Sequence, residues 1–154
     1  MNLASVFLKM TDRARADTAA GGLFASGTPL INAIYPMKPP TSEELSFPYV
    51  VVGAGVDEAG QTTFTGEGAI ATVEFHIFVS TTGTEPLKRL SDIERRLFGN
   101  TSGGAAPSVG FQRWTPSTDG TWTFAPMAFQ GTRFEGEADP IYHIVQTYSL
   151  KGSA

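Results

Sequence analysis

The alternation in residues 69–80 constrains this chain more than any other feature. Val73, Phe75, Ile77 and Val79 interleave with Thr72, Glu74, His76 and Phe78. Apolar side chains at every second position put one face of a strand on a core. The other face stays mixed, as in a sheet covered on one side. The same period returns near the end of the chain, where Tyr142, Ile144, Gln146, Tyr148 and Leu150 alternate with His143, Val145, Thr147 and Ser149. Residues 47–52, rich in β-branched and aromatic types, read as a third strand. Pro48 sits at its start, where a missing N–H is harmless. Shorter strands are expected at 31–35, 109–114 and 127–135, and Asp119-Gly120 is a hairpin-type turn signal between Trp114 and Trp122.

Two helices interrupt these strands. In residues 2–20, Leu3, Phe7, Met10 and Ala14 recur on one face, and Gly21-Gly22 supplies a stop. Residues 85–98 carry Leu87, Leu90, Ile93, Leu97 and Phe98 on one face. Thr84 is the expected cap, Pro86 lies in the first turn, and Arg95 and Arg96 suit the helix dipole in the last. Helices that are few and segregated from a mainly antiparallel mixed sheet predict an α+β fold. Two helices pack on that sheet and long polar loops join the elements. No repeat or linker divides residues 1–154, so one domain is expected.

Composition removes several function classes. With no cysteine, disulfides, thiolate metal sites and a cysteine nucleophile are excluded. A net charge of −4 argues against general nucleic-acid binding, which neutralises phosphates with Lys and Arg. The N-terminus lacks the basic leader of a secretory signal and no run reaches the ~18–20 apolar residues of a membrane span. The expectation is a protein made and kept in the cytoplasm, or assembled from there, with no membrane partner.

The candidate chemistry is thin. Val50-Val51-Val52-Gly53-Ala54-Gly55 opens like a dinucleotide fingerprint. Its third glycine should fall at Glu58, and no helix follows to hold a phosphate. A strand ending in a glycine bend is the favoured reading. Glu74 and His76 share a strand face and His143 lies on another strand. Such a set could hold a metal, but its spacing is generic, and a face that includes Phe78 reads better as an interface. Carboxylates at Glu43-Glu44, Asp57-Glu58 and Glu135/Glu137 fall in expected loops with no sign of a cleft. No Gly-x-Ser-x-Gly elbow or Walker loop occurs. Trp114 reads as a cross-strand packing residue, and Trp122 stays open between packing and recognition.

Several elements recur together in one known family. They are the N-terminal helix, Ile34-Tyr35-Pro36 in an irregular segment, and the Phe47–Val52 strand. A polar Gly/Thr loop then leads into Val73-Glu74-Phe75-His76-Ile77-Phe78-Val79. A helix of the type seen at Leu87 to Phe98 follows, and the last strand is Ile141-Tyr142-His143-Ile144-Val145-Gln146-Thr147-Tyr148. In this order the chain resembles the tail-completion, or tail-terminator, proteins of long-tailed bacteriophages and related prophages. The resemblance covers nearly the whole chain. It departs in residues 101–138, where the family has a plain hairpin and this chain has a longer Gly/Pro/Thr-rich excursion.

The resemblance implies a structural role without catalysis or cofactor. It implies a ring-forming homo-oligomer, usually a hexamer, on the head-proximal end of the tail tube. Its partners would be the major tail-tube protein and a head-completion or connector protein. DNA would pass through the ring without sequence-specific binding, and the location would be the tail-neck region of the virion after assembly in the host cytoplasm. The loops at 57–68 and 115–126 are the expected contacts, through Thr62, Thr63, Phe64, Thr65, Asp119, Trp122 and Phe124. The alternatives are another neck or minor tail component, or a small ligand- or metal-binding α+β domain using Glu74, His76 and His143.

Overall fold

A computed structural model describes residues 1–39, 45–54, 63–65, 68–99, 108–138 and 140–154. Their order is α1 (Leu3–Arg15), β1 (Ala33–Pro36), β2 (Tyr49–Ala54), β3 (Thr63–Thr65), β4 (Gly68–Ser80), α2 (Pro86–Phe98), β5 (Thr123–Phe124), β6 (Ala128–Ala138) and β7 (Ile141–Ser153). The fold is α+β, as the alternating patterns require. β1, β2, β4, β7 and β5 follow one another across the sheet, with β3 also on β4 and β6 also on β7. All pairings are antiparallel except β1 with β2. No helix among the described residues is long and apolar enough to cross a membrane.

The two alternating strands form the spine. β4 and β7 are 13 residues each and pair along their full length, from Gly68–Ser153 to Ser80–Ile141. At about 3.3 Å per residue the ladder runs roughly 40 Å. Val73, Phe75, Ile77 and Val79 face the same side as Ile144, Tyr148 and Leu150. They join Val50 and Val52 of β2, Val6, Phe7, Met10 and Ala14 of α1, and Leu90, Ile93 and Leu97 of α2 in one core cluster. Both helices therefore cover one face of the sheet.

Gln146 belongs to the core-facing set yet is polar, and it is 1% exposed. Its amide is satisfied at both ends. Nε2 donates to the Glu94 carbonyl on α2 at 3.0 Å, and Oε1 accepts from the Tyr148 hydroxyl at 2.9 Å. A buried amide so paired fastens α2 to β7 without leaving an unmet polar group. Burial, followed by the negative charge of Glu94, holds the Tyr148 phenol far above its ordinary value, so it stays neutral as a donor.

Several expectations need correction. α1 ends at Arg15 rather than near residue 20, because Asp17 turns its side chain onto the Leu23 amide and competes with helical bonding. Thr84 is not the α2 cap. Pro86 takes the first helical position, so the cap falls on Glu85, which has a left-handed φ of 49° and makes no side-chain cap bond. Leu87, assigned to the α2 apolar face, is 59% exposed. Residues 109–114 form no strand. Instead, the Phe111 amide bonds to the Leu97 and Phe98 carbonyls, which tucks the segment under the end of α2. Trp114 is consequently not a strand residue; its ring packs edge-on to Phe111 with centroids 5.4 Å apart, and its carbonyl accepts from the Met127 amide. β2 runs through Gly53 to Ala54, and Gly55, the other glycine of the expected bend, lies outside the described residues.

Two ties hold the irregular segments to the helices. Arg96 of α2 grips the Asp17 carboxylate through Nε at 2.7 Å and a terminal nitrogen at 2.5 Å. Burial alone would raise the Asp17 pKa. The Arg96 guanidinium, the Leu23 amide and Arg13 outweigh it and hold the carboxyl below its ordinary value of 3.8. The cations of α1 reach three separate segments. Lys9 donates to the Ser117 and Thr118 carbonyls, Arg13 to Gly110 and Arg15 to Ile34. At the end of α2 the backbone of Gly110 presses on Gly99. A Cβ on Gly110 would lie 2.3 Å from the Gly99 Cα, and Gly110 has φ +83°.

Gly110→Ala is expected to destabilise the fold by more than about 3 kcal/mol in chemical denaturation, combining left-handed strain with a backbone clash. Gly120→Ala, with φ +61° and nothing within 4 Å, should lose only about 1 kcal/mol. Asp17→Asn should lose about 2 kcal/mol at pH 7, less than a fully buried pair because Arg96 is partly exposed. A depressed carboxyl pKa gives stability that is present above pH 3.8 and lost as pH falls through the lower folded value. The variant's unfolding midpoint should therefore vary less with pH below 4 than that of the parent.

Candidate functional site

Ala69–Gly152 and Gly68–Ser153 pairs mark one end of the β4–β7 ladder. β3 adds to its β4 edge through Thr63–Ile70, Phe64–Ala69 and Thr65–Gly68. β5 adds to its β7 edge through Thr123–Ser153 and Phe124–Gly152. Phe64, Ala69, Gly152 and Phe124 thus fall on one register row across four strands. The two loop regions singled out by sequence, distant along the chain, meet at the same end of the sheet.

Of the residues named there, Thr62 lies outside the described residues. Thr63, Phe64 and Thr65 are strand β3, so this part of the polar Gly/Thr stretch is half of a hairpin. Asp119 and Trp122 exchange both backbone hydrogen bonds at 3.0 Å around Gly120-Thr121, as the Asp-Gly signal requires. Trp122 and Phe124 close over the bare backbone of Gly152. A Cβ built there would meet each ring at 3.2 Å and the Met1 sulfur at 3.3 Å. Lys9 Nζ sits 5.9 Å from the Phe124 ring centroid. Trp122 and Phe124 are half-buried and Asp119 is partly exposed, so this end presents polar turns over an aromatic base.

The other candidate set occupies the sheet face opposite the helices. Register places Tyr49, Phe78 and His143 on one row, Val51, His76, Val145 and Arg133 on the next, and Gly53, Glu74 and Thr147 on a third. Glu74, His76 and His143, named together from sequence, do converge. His76 Nδ1 lies 3.0 Å from His143 Nε2, and His76 Nε2 lies 3.2 Å from Glu74 Oε1. The second Glu74 oxygen accepts from Arg133 at 2.8 Å and from Thr147 at 3.4 Å. Arg133 also bonds Glu135. Phe78 stacks on His143 at 4.3 Å, and Tyr49 stacks on Phe78 at 4.8 Å.

This arrangement consumes the groups that chemistry would need. Both nitrogens of His76 and both oxygens of Glu74 are engaged within the protein. Among the described residues no group of three His, Asp or Glu side chains could hold a metal ion. Burial, with the adjacent His76, pushes the His143 imidazolium below its ordinary value of 6.5. The Arg133 guanidinium holds the Glu135 carboxyl below its usual range. Arg133 and Glu135 were not foreseen as members. Glu135, expected in a loop, lies within β6, and bulges between Phe129 and Gly131 and between Phe134 and Gly136 shift the register of that strand, which sequence does not announce. The dinucleotide-like Gly53-Ala54 lies in a strand whose described successor in the chain is β3, not a helix.

Cavities elsewhere offer nothing more specific. One, of about 460 Å³, lies among Arg13, Asp17, Leu23, Val109 and Phe111. Its two charged groups are already committed to Gly110, Leu23 and Arg96.

No family model matches the chain, and no curated protein is matched by its sequence. Seventeen chains of solved structures match its fold. One, from a structure described as "Virion of native gene transfer agent (GTA) particle", superposes with a TM-score of 0.56 at 16% sequence identity, over 100% of both chains. The chain therefore shares its fold with a chain of that virion.

Glu74→Ala should destabilise the protein by about 2 kcal/mol, since a buried acceptor shared by His76 and Arg133 is lost. Arg133→Ala should lose under about 1 kcal/mol because Arg133 is half exposed. Chemical denaturation of both single variants and the double variant checks this. The double variant should fall short of the sum, as for residues in direct contact.

Proposed function

We propose that this chain is a tail-completion subunit acting as one unit over residues 1–154. In this reading copies associate into a closed ring, a hexamer, on the head-proximal end of a tail tube. The observation that carries the reading is the end-to-end fold likeness to a chain of a virion particle. The element-by-element resemblance to tail-terminator proteins adds support from the sequence.

A ring requires a heterologous contact, one patch meeting a different patch on the next copy. The end of the ladder built by β3 and β5 suits such a contact. Asp119, Trp122 and Phe124 lie there on a rigid strand base, together with Thr63, Phe64 and Thr65; Thr62 is assigned to the same surface from sequence. One ring face would copy the tube subunit's mating surface and bind the major tail-tube protein. The other would lack that surface, so polymerisation stops, and would present a seat for the head-completion or connector protein. The net charge of −4 suits a lumen that passes DNA without holding it. The ring would be assembled in the host cytoplasm and remain in the tail-neck region of the virion.

Electron microscopy of tails assembled without this protein tests the role, with tubes of uncontrolled length expected. Tails of normal length would contradict it. Native mass spectrometry with tube ends present should show a ring-sized oligomer for the parent chain. The double variant Trp122→Ala, Phe124→Ala should remain folded by circular dichroism and lose ring formation at least tenfold in concentration, about 1.4 kcal/mol per contact set.

A further inference from the structure

We infer that His76 and His143 form a lock that holds one proton and is opened by a second, releasing the aromatic stack on the sheet face opposite the helices. The inference rests on the geometry of that face and not on the assembly role. A ring-nitrogen contact of 3.0 Å between His76 Nδ1 and His143 Nε2 needs one hydrogen between the two atoms. One nitrogen must donate and the other accept. With both rings neutral, His76 donates from Nε2 to Glu74 and accepts from His143. With one proton added, His76 donates from both nitrogens, to Glu74 and to His143. With two added, N–H faces N–H and the contact cannot persist.

The surrounding charges set the same limit. Glu74 on β4 and Glu135 and Arg133 on β6 face the pair, and these are the groups whose charges act on His143. Two carboxylates and one guanidinium leave one negative charge, which a single imidazolium balances. β7 contributes Val145 and Thr147 to this face, and β2 contributes Tyr49, Val51 and Gly53, none of them ionised near neutrality. Lys38 borders the recess that His76 and Phe78 line, adding positive charge on that side. A second proton therefore finds no net negative charge left on this face to hold it.

The mechanical consequence follows from the stacking. His143 lies nearly parallel to Phe78, 16° between planes, and Phe78 to Tyr49, 19°. When His143 leaves His76, it leaves Phe78 with one ring face uncovered. The mildly acidic form thus exposes an aromatic surface that the neutral form closes.

The test is a titration of the intact protein by ¹H–¹³C NMR, following the two histidine Cε1 groups and the Phe78 ring from pH 8 to pH 4. The two protons should bind in macroscopic steps separated by more than about tenfold in affinity, as for strongly coupled sites. The Phe78 ring shifts should move with the second step. In His143→Gln, His76 should titrate in one step and the Phe78 shifts should not follow it. Two steps closer than about tenfold, or Phe78 resonances indifferent to the second step, would overturn the inference. The wild-type titration decides the matter even where the variant fails to fold.

Discussion

The antiparallel pairing of β4 with β7 is the constraint on which everything else in this molecule depends. Its continuous register assigns every second residue of both strands to the core and the remainder to the opposite face. A slip of one residue would turn Phe75 and Tyr148 outward and bring Glu74 and His143 under the helices. The core has no place for those charges, so the register is held by the burial of Val73, Phe75, Ile77, Ile144, Tyr148 and Leu150. Gln146 is the exception that fits, because α2 presents a carbonyl to it.

From that ladder the rest follows by attachment. The helices cover one face, and the stacked and ion-paired network covers the middle of the other. One end is widened on both edges by β3 and β5. The irregular segments anchor Leu23, Ile31, Phe111 and Met127 in the core and are tied further by cations. Lys9, Arg13 and Arg15 of α1 each bond backbone carbonyls far along the chain, and Arg96 closes on Asp17. Such bonds to charged donors are stronger than neutral ones and satisfy carbonyls that loops would otherwise leave to water. The excursion through residues 108–127 is in this sense organised by α1 and by the end of α2, even though it has little regular structure.

The sequence made the fold class legible because its strongest signals are the periodic ones. β4, β7 and the apolar faces of both helices follow from spacing, and the Asp119-Gly120 turn from its dipeptide. What spacing could not convey was geometry decided by distant contacts. Nothing local in Val109–Trp114 distinguishes a strand from a segment bonded to the end of a helix. Asp17 ends α1 through partners at Leu23 and Arg96. The convergence of Glu74, His76 and His143 was readable from alternation, whereas Arg133 and Glu135 reach them only through bulges in β6. The meeting of the 63–65 and 119–124 regions was likewise hidden, since it requires the pairing of β4 with β7 to be known first.

The central functional claim is that the β3–β5 end of the ladder is the surface by which copies of this chain contact one another and a tail tube. The most direct measurement is an electron cryo-microscopy reconstruction of the particle that carries the protein. The account predicts a single ring at the junction of tail and head, with Asp119, Trp122 and Phe124 buried between neighbouring subunits or against the tube. A ring in which that end faces solvent, or a chain placed elsewhere in the particle, would contradict it.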